Sequence, residues 1–86
     1  MNIIFTPDAW SEYKAWGKRN KKIQKKIDDL IESILRDGFL KSIGQPEALK
    51  HRKEYSRRIT QDDRLVYTGD EKRNLVITSC QGHYED

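Results

Sequence analysis

The chain predicts an α+β fold: an N-terminal strand and a helical hairpin packed on one face of a twisted antiparallel sheet. Apolar residues keep a helical spacing from Ala9 to Leu35 and alternate in strand fashion from Glu47 onward. Helices grouped at one end of a sequence, with most strands at the other, are the pattern of α+β architecture. Its 86 residues, 35% of them apolar, leave room for one modest core and a single domain, residues 1–86.

Each element has its own local signal. Asn2 to Phe5 is a short, β-branched run that Thr6-Pro7 stops. That pair reads as a helix start, a hydroxyl to cap and a proline with no N–H to leave orphaned. Ala9, Trp10, Tyr13 and Trp16 form an aromatic stripe expected to be core, and Gly17 to Asn20 is expected to break the helix, with Asn20 capping the next. Ile23, Ile27, Leu30, Ile31, Ile34 and Leu35 mark one face of an amphipathic helix, which Asp37-Gly38 ends. Phe39 to Pro46 is a loop. Glu47 to Lys50 and Tyr55 to Thr60 read as strands, Gln61-Asp62-Asp63 as a tight turn, and Arg64 to Thr68 as the returning strand. Leu75 to Cys80, the most apolar strand, is expected at the centre of the sheet.

The charge balance is mild but unevenly spread. Seventeen Lys and Arg against fourteen Asp and Glu give +3, which by itself names no partner. Lys14 to Lys26, however, holds seven basic residues and no acid, and Lys50 to Arg58 holds five with His51 against Glu54 alone. Such local fields steer polyanions. A basic helix face is commonly just solvated, whereas arginines inside a strand pattern need a reason to be there. The single cysteine, Cys80, excludes an internal disulfide and reads as a small core residue. No apolar stretch approaches the ~20 residues of a membrane span, and the N-terminus lacks the pattern of a signal peptide. The expectation is a soluble, cytoplasmic protein.

The residue types that could do chemistry cluster from Gln45 to Tyr67 and at the C-terminal end. Glu47, among Lys50, His51 and arginines, suits a proton acceptor, although a surface ion pair would place it there equally well. His83 suits a proton donor, with His51 as a competitor that looks more like a phosphate contact. Arg58 and Arg64 flank a tight turn on paired strands and can converge on the charge of a phosphorane, unless Asp62, Asp63 or Glu54 claims them. Tyr67 reads as core or sheet face, and Tyr84 as a ring able to stack on a base. Two histidines and one cysteine offer no metal-ligand spacing, so no metal or other cofactor is expected. Base, acid and cations suffice for metal-free transesterification at a 2′-hydroxyl.

At these residues the chain resembles the YoeB/Txe family of bacterial toxins, within the RelE superfamily of ribosome-dependent mRNA interferases. The resemblance runs through W-x-x-Y-x-x-W (Trp10, Tyr13, Trp16), K-K-I (Lys25 to Ile27) and P-E-x-L-K-H (Pro46 to His51). It continues through S-R-R-I-T (Ser56 to Thr60), D-R-L-V-Y (Asp63 to Tyr67) and the late H-Y pair (His83, Tyr84). It implies a RelE-like fold and an endoribonuclease that cuts mRNA in the ribosomal A site. Glu47 would be the general base, His83 the general acid and Arg64 the stabiliser of transition-state charge. Lys50 and Arg58 would contact phosphate, and Tyr84 would orient base or phosphate. A YefM-like antitoxin would neutralise the chain, and a homodimer is possible. The link from Arg52 to Tyr55 differs from the longer, glycine-containing turn of many relatives, and Glu85-Asp86 extend past the H-Y pair.

Two other function classes compete with an enzyme. One is a module that binds RNA or the ribosome and blocks translation without cutting. The other is a DNA-binding repressor, disfavoured because no helix-turn-helix with a basic second helix is present.

Overall fold

Local chemistry sets the element boundaries. In this computed structural model, which describes residues 1–83, strand β1 (Ile3–Phe5) runs straight into helix α1 (Pro7–Arg19). Thr6 is the cap, its hydroxyl accepting the Ala9 N–H at 3.2 Å. Asn20 separates α1 from α2 (Lys21–Asp37), and its side chain accepts the Lys22 and Ile23 N–H groups. Gly17 does not break α1 as its type suggests. It lies against the Gln24 side chain of α2, and a Cβ there would stand 2.5 Å from the Gln24 amide nitrogen.

Four strands follow: β2 (Glu47–Ala48), β3 (Tyr55–Arg58), β4 (Arg64–Gly69) and β5 (Leu75–Ser79). The sheet order is β1-β5-β4-β3-β2. The neighbours β2–β3, β3–β4 and β4–β5 pair antiparallel, whereas β1 pairs parallel to β5, Ile3 opposite Leu75 and Phe5 opposite Ile77. The sheet is therefore mixed, not wholly antiparallel. Alternating side chains look the same in either strand direction, so the spacing of β1 could not reveal it. The central strand is β4, and β5 lies one place off centre between β4 and β1.

Both helices cover one face of this sheet. Ala9, Trp16, Ile27, Leu30, Ile31 and Ile34 pack against Ile59, Leu65, Tyr67, Leu75, Ile77 and Cys80. Trp10 departs from the expected stripe. It is 46% exposed and stacks on Tyr13 at the margin of this core, with Phe5 edge-on.

The deepest polar group is Arg57. It is fully buried on the helix side of β3, in the same alternation phase as Tyr55 and Ile59. Its guanidinium donates to the Tyr67 hydroxyl, the Ser33 hydroxyl and the carbonyls of Gly38, Lys41 and Ile43, at 2.7 to 3.0 Å. Tyr67 in turn donates to the Phe39 carbonyl. One cation and one phenol thus tie the loop from Gly38 to Ile43 to the sheet, and that loop leads directly to Glu47.

Candidate active site on the helix-free face

Strand alternation assigns the other face. Because Arg57 points to the helices, Ser56 and Arg58 point away from them, and cross-strand partners share a face. Glu47 pairs with Ser56, Ser56 with Val66, and Arg58 with Arg64. Glu47, Arg58 and Arg64 therefore stand on one helix-free surface. Glu47 occupies the row of Ser56 and Val66, and the arginines the next row. Glu47 sits on the edge strand, exposed, about 10 Å or two strand spacings from Val66.

His83 is brought to this surface by a doubly fastened segment. At Cys80 the N–H donates to the Glu12 carboxylate at 2.8 Å, and the carbonyl accepts the Trp16 indole N–H at 2.8 Å. At Gly82 the N–H donates to Asp63 Oδ1 at 2.8 Å, and the carbonyl accepts the Arg64 N–H at 3.1 Å. Helix α1 and the β3–β4 turn thus hold the backbone on which His83 sits. Its Nε2 lies 3.9 Å from Asp62 Oδ1, an exposed pairing that would be worth little even with the ring protonated. The side chain lines a groove of about 250 Å³ with Arg52, Glu54, Val66, Thr78, Ser79 and Gly82. Glu47 and Arg64 do not line this groove; Val66, which does, lies two strands from Glu47 in the same row.

Arg64 is claimed by carbonyls, not carboxylates. Its Nη1 donates to the carbonyls of Thr60, Gln61 and Asp63, capping the turn. Among the described residues its side-chain contacts all run through Nη1, which leaves Nε and Nη2 for a ligand. Arg58 is exposed and lines a different groove, about 320 Å³, with Lys26, Gln45 and Gln61 at the edge of the sheet. The structure thus gathers Glu47, Arg64 and His83 on one face, with Arg58 beside them but turned to the margin. Lys50 and His51 are exposed in the link after β2. Tyr84 lies outside the described residues. Among those described, no group of three or more His, Cys, Asp or Glu is placed to hold a metal ion, and no helix is long and apolar enough to cross a membrane.

Sequence reasoning missed three contributors. Asp63 reads as a turn residue, yet its carboxylate grips both the Thr60 hydroxyl, at 2.7 Å, and the Gly82 amide. Glu12 carries no signal in the sequence and Trp16 reads only as core, yet they fix the strand end that leads to His83. Only Arg57 carried a signal in the sequence, a cation in the apolar phase of a strand.

Comparison with known proteins agrees with this architecture. The profile of the YoeB-like toxin of bacterial type II toxin-antitoxin system matches residues 5–84. Toxin YoeB of Synechocystis is 44% identical over 87 residues, covering 99% of each chain. Toxin YoeB of Escherichia coli K12 is 40% identical over 86 residues, covering 98% of this chain and all of the relative. Among solved structures, the Staphylococcus aureus YoeB dimer superposes with a TM-score of 0.90 at 46% identity, and the heterotetrameric YoeB–YefM complex of the same organism with 0.88 at 46%. Each comparison covers 98% of both chains. Escherichia coli YafQ, at 15% identity and a TM-score of 0.77, shares the fold. By sequence and by fold alike, this chain belongs to the YoeB-like toxins of bacterial type II toxin–antitoxin systems.

Proposed function

We propose that the chain is an endoribonuclease that cuts mRNA in the ribosomal A site and so stops translation. The observation that supports this most directly is the helix-free face shared by Glu47, Arg64 and His83: a carboxylate, a guanidinium whose Nε and Nη2 make no contact among the described residues, and an imidazole. The reaction is a transesterification. Glu47 takes the proton of the ribose 2′-hydroxyl as the 2′-oxygen bonds to phosphorus. Arg64, through Nε and Nη2, balances the charge that builds on the phosphoryl oxygens, a role that preorganised donors perform without reorganising. As the bond from phosphorus to the 5′-oxygen breaks, His83 gives its proton to that oxygen. The products are a 2′,3′-cyclic phosphate and a 5′-hydroxyl. Lys50 and Arg58 contact flanking phosphates, and Tyr84 orients the base or phosphate.

A YefM-like antitoxin is the proposed neutralising partner, since YoeB of Staphylococcus aureus is found in a heterotetramer with YefM. That protein's YoeB also forms a dimer, and we extend the same association to this chain.

Inducible expression followed by mapping of mRNA ends tests the proposal. Discrete new ends bearing 2′,3′-cyclic phosphates are expected with the unaltered chain and are lost with Glu47→Ala and His83→Ala. Growth arrest without new ends would replace cleavage by occlusion of the ribosome.

A further inference from the structure

The link between β2 and β3 folds back over the helix-free face. The Leu49 N–H donates to the Glu54 carbonyl at 2.9 Å, and the Thr68 hydroxyl to the Lys53 carbonyl at 2.8 Å. This lays the Glu54 side chain across to β5, where the Thr78 hydroxyl donates to Oε2 at 2.7 Å. The other oxygen, Oε1, lies 3.0 Å from Arg52 Nε. A hydroxyl rooted in the sheet thus holds a carboxylate, and the carboxylate holds a guanidinium. Glu54 and Arg52 both line the groove of His83.

The Arg52 side chain is 44% exposed, and a pair that open to water adds little to stability. What it fixes is direction. With Nε occupied, and no other Arg52 side-chain contact among the described residues, the Nη1–Nη2 edge remains as a fork. A fork already oriented loses less freedom when it takes a tetrahedral oxyanion. The same groove also holds the His83 imidazole, a second nitrogen donor beside the fork.

We infer that Arg52 is a phosphate-binding residue of this groove, seating a phosphodiester of single-stranded RNA next to the bond at which His83 acts, with Glu54 and Thr78 as its positioning residues. The inference rests on the ribonuclease reading for the identity of the polyanion.

The test is the salt dependence of binding by the full chain to a single-stranded RNA made uncleavable by 2′-deoxy substitution, with cleavage of ribosome-bound mRNA followed in parallel. Arg52→Ala should weaken binding roughly tenfold. It should also flatten the log–log salt slope by about 0.7, one phosphate contact on a single strand. Arg52→Lys should restore the slope and only part of the affinity, because an ammonium lacks the fork. Glu54→Gln separates positioning from simple charge. It removes a negative charge, so bulk electrostatics demands tighter binding, whereas loss of the brace behind Arg52 demands weaker binding. Thr78→Val should weaken binding in the same direction without changing charge.

An unchanged slope in Arg52→Ala, tighter binding in Glu54→Gln, or no RNA binding by the unaltered chain would each overturn the inference. If the unaltered chain binds and Arg52→Ala loses a phosphate contact while no mRNA is cut, the ribonuclease reading fails and this one stands.

Discussion

Arg57 shows how much one side chain can decide. Five donors on a fully buried guanidinium meet five neutral oxygens, three of them carbonyls of the loop that precedes Glu47. Removing the donors leaves those carbonyls short of partners, so Arg57→Ala should cost on the order of 3 kcal/mol or more, read as a lower urea midpoint. Arg57→Lys should recover only part, since three donors on a point cannot reach five acceptors. The strand alternation exposed this residue as an oddity in the apolar phase, but its partners lie 10 to 24 residues away and could not be read from it. Asp63 was hidden more completely, because an aspartate in a turn has a sufficient local explanation. Two further groups carry a pH prediction. The hydrogen bond from Tyr13 to Asp28, aided by burial, pushes the phenol up to about 12, and burial above all pushes the Cys80 thiol up to about 12. The folded chain holds both protons more tightly than the unfolded chain. Their contribution is therefore complete below the ordinary values and lost as pH rises through the folded ones. Thermal unfolding midpoints should fall from about pH 9 toward 12, less steeply in the Tyr13→Phe, Cys80→Ala double variant.

At the scale of elements, caps and turns were legible and strand partnership was not. Thr6 and Asn20 cap as their types require, because capping is settled within three residues. The parallel union of β1 with β5 spans some seventy positions and depends on the whole helical hairpin, which no local pattern records. Two elements make predictions of their own. Gly44 lies at φ +89 with room for no side chain, since a Cβ would stand 2.7 Å from Leu30 Cδ2. Gly44→Ala should destabilise by about 2 kcal/mol through strain and overpacking, measured by thermal unfolding. The turn from Thr60 to Asp63 fastens the segment that carries His83. Asp63→Ala should speed hydrogen exchange at the Gly82 amide, while Asp63→Asn, which keeps an acceptor, should leave it close to the unaltered chain.

At the scale of the molecule, one face of the sheet is spent on the core and the other is free of helices. The helices bury Leu65, Tyr67, Leu75 and Ile77, and the alternate positions of the same strands present Arg58, Arg64, Thr78 and, through its pairing with Ser56, Glu47. The two-layer plan was legible because helical and strand periods occupy separate parts of the chain. The groove was not, because it is closed by Arg52, Glu54 and His83, which lie in links whose course no periodicity fixes. If Glu47 and His83 act as base and acid, Glu47→Ala and His83→Ala should each slow cleavage of ribosome-bound mRNA by about 10²-fold or more with folding intact. In the proposed reaction the attacking group belongs to the RNA itself. Single-turnover cleavage of an mRNA carrying one 2′-deoxy nucleotide at the cut site tests it most directly. We predict that this substrate is bound but not cut there, whereas cleavage at the unaltered rate would contradict the account.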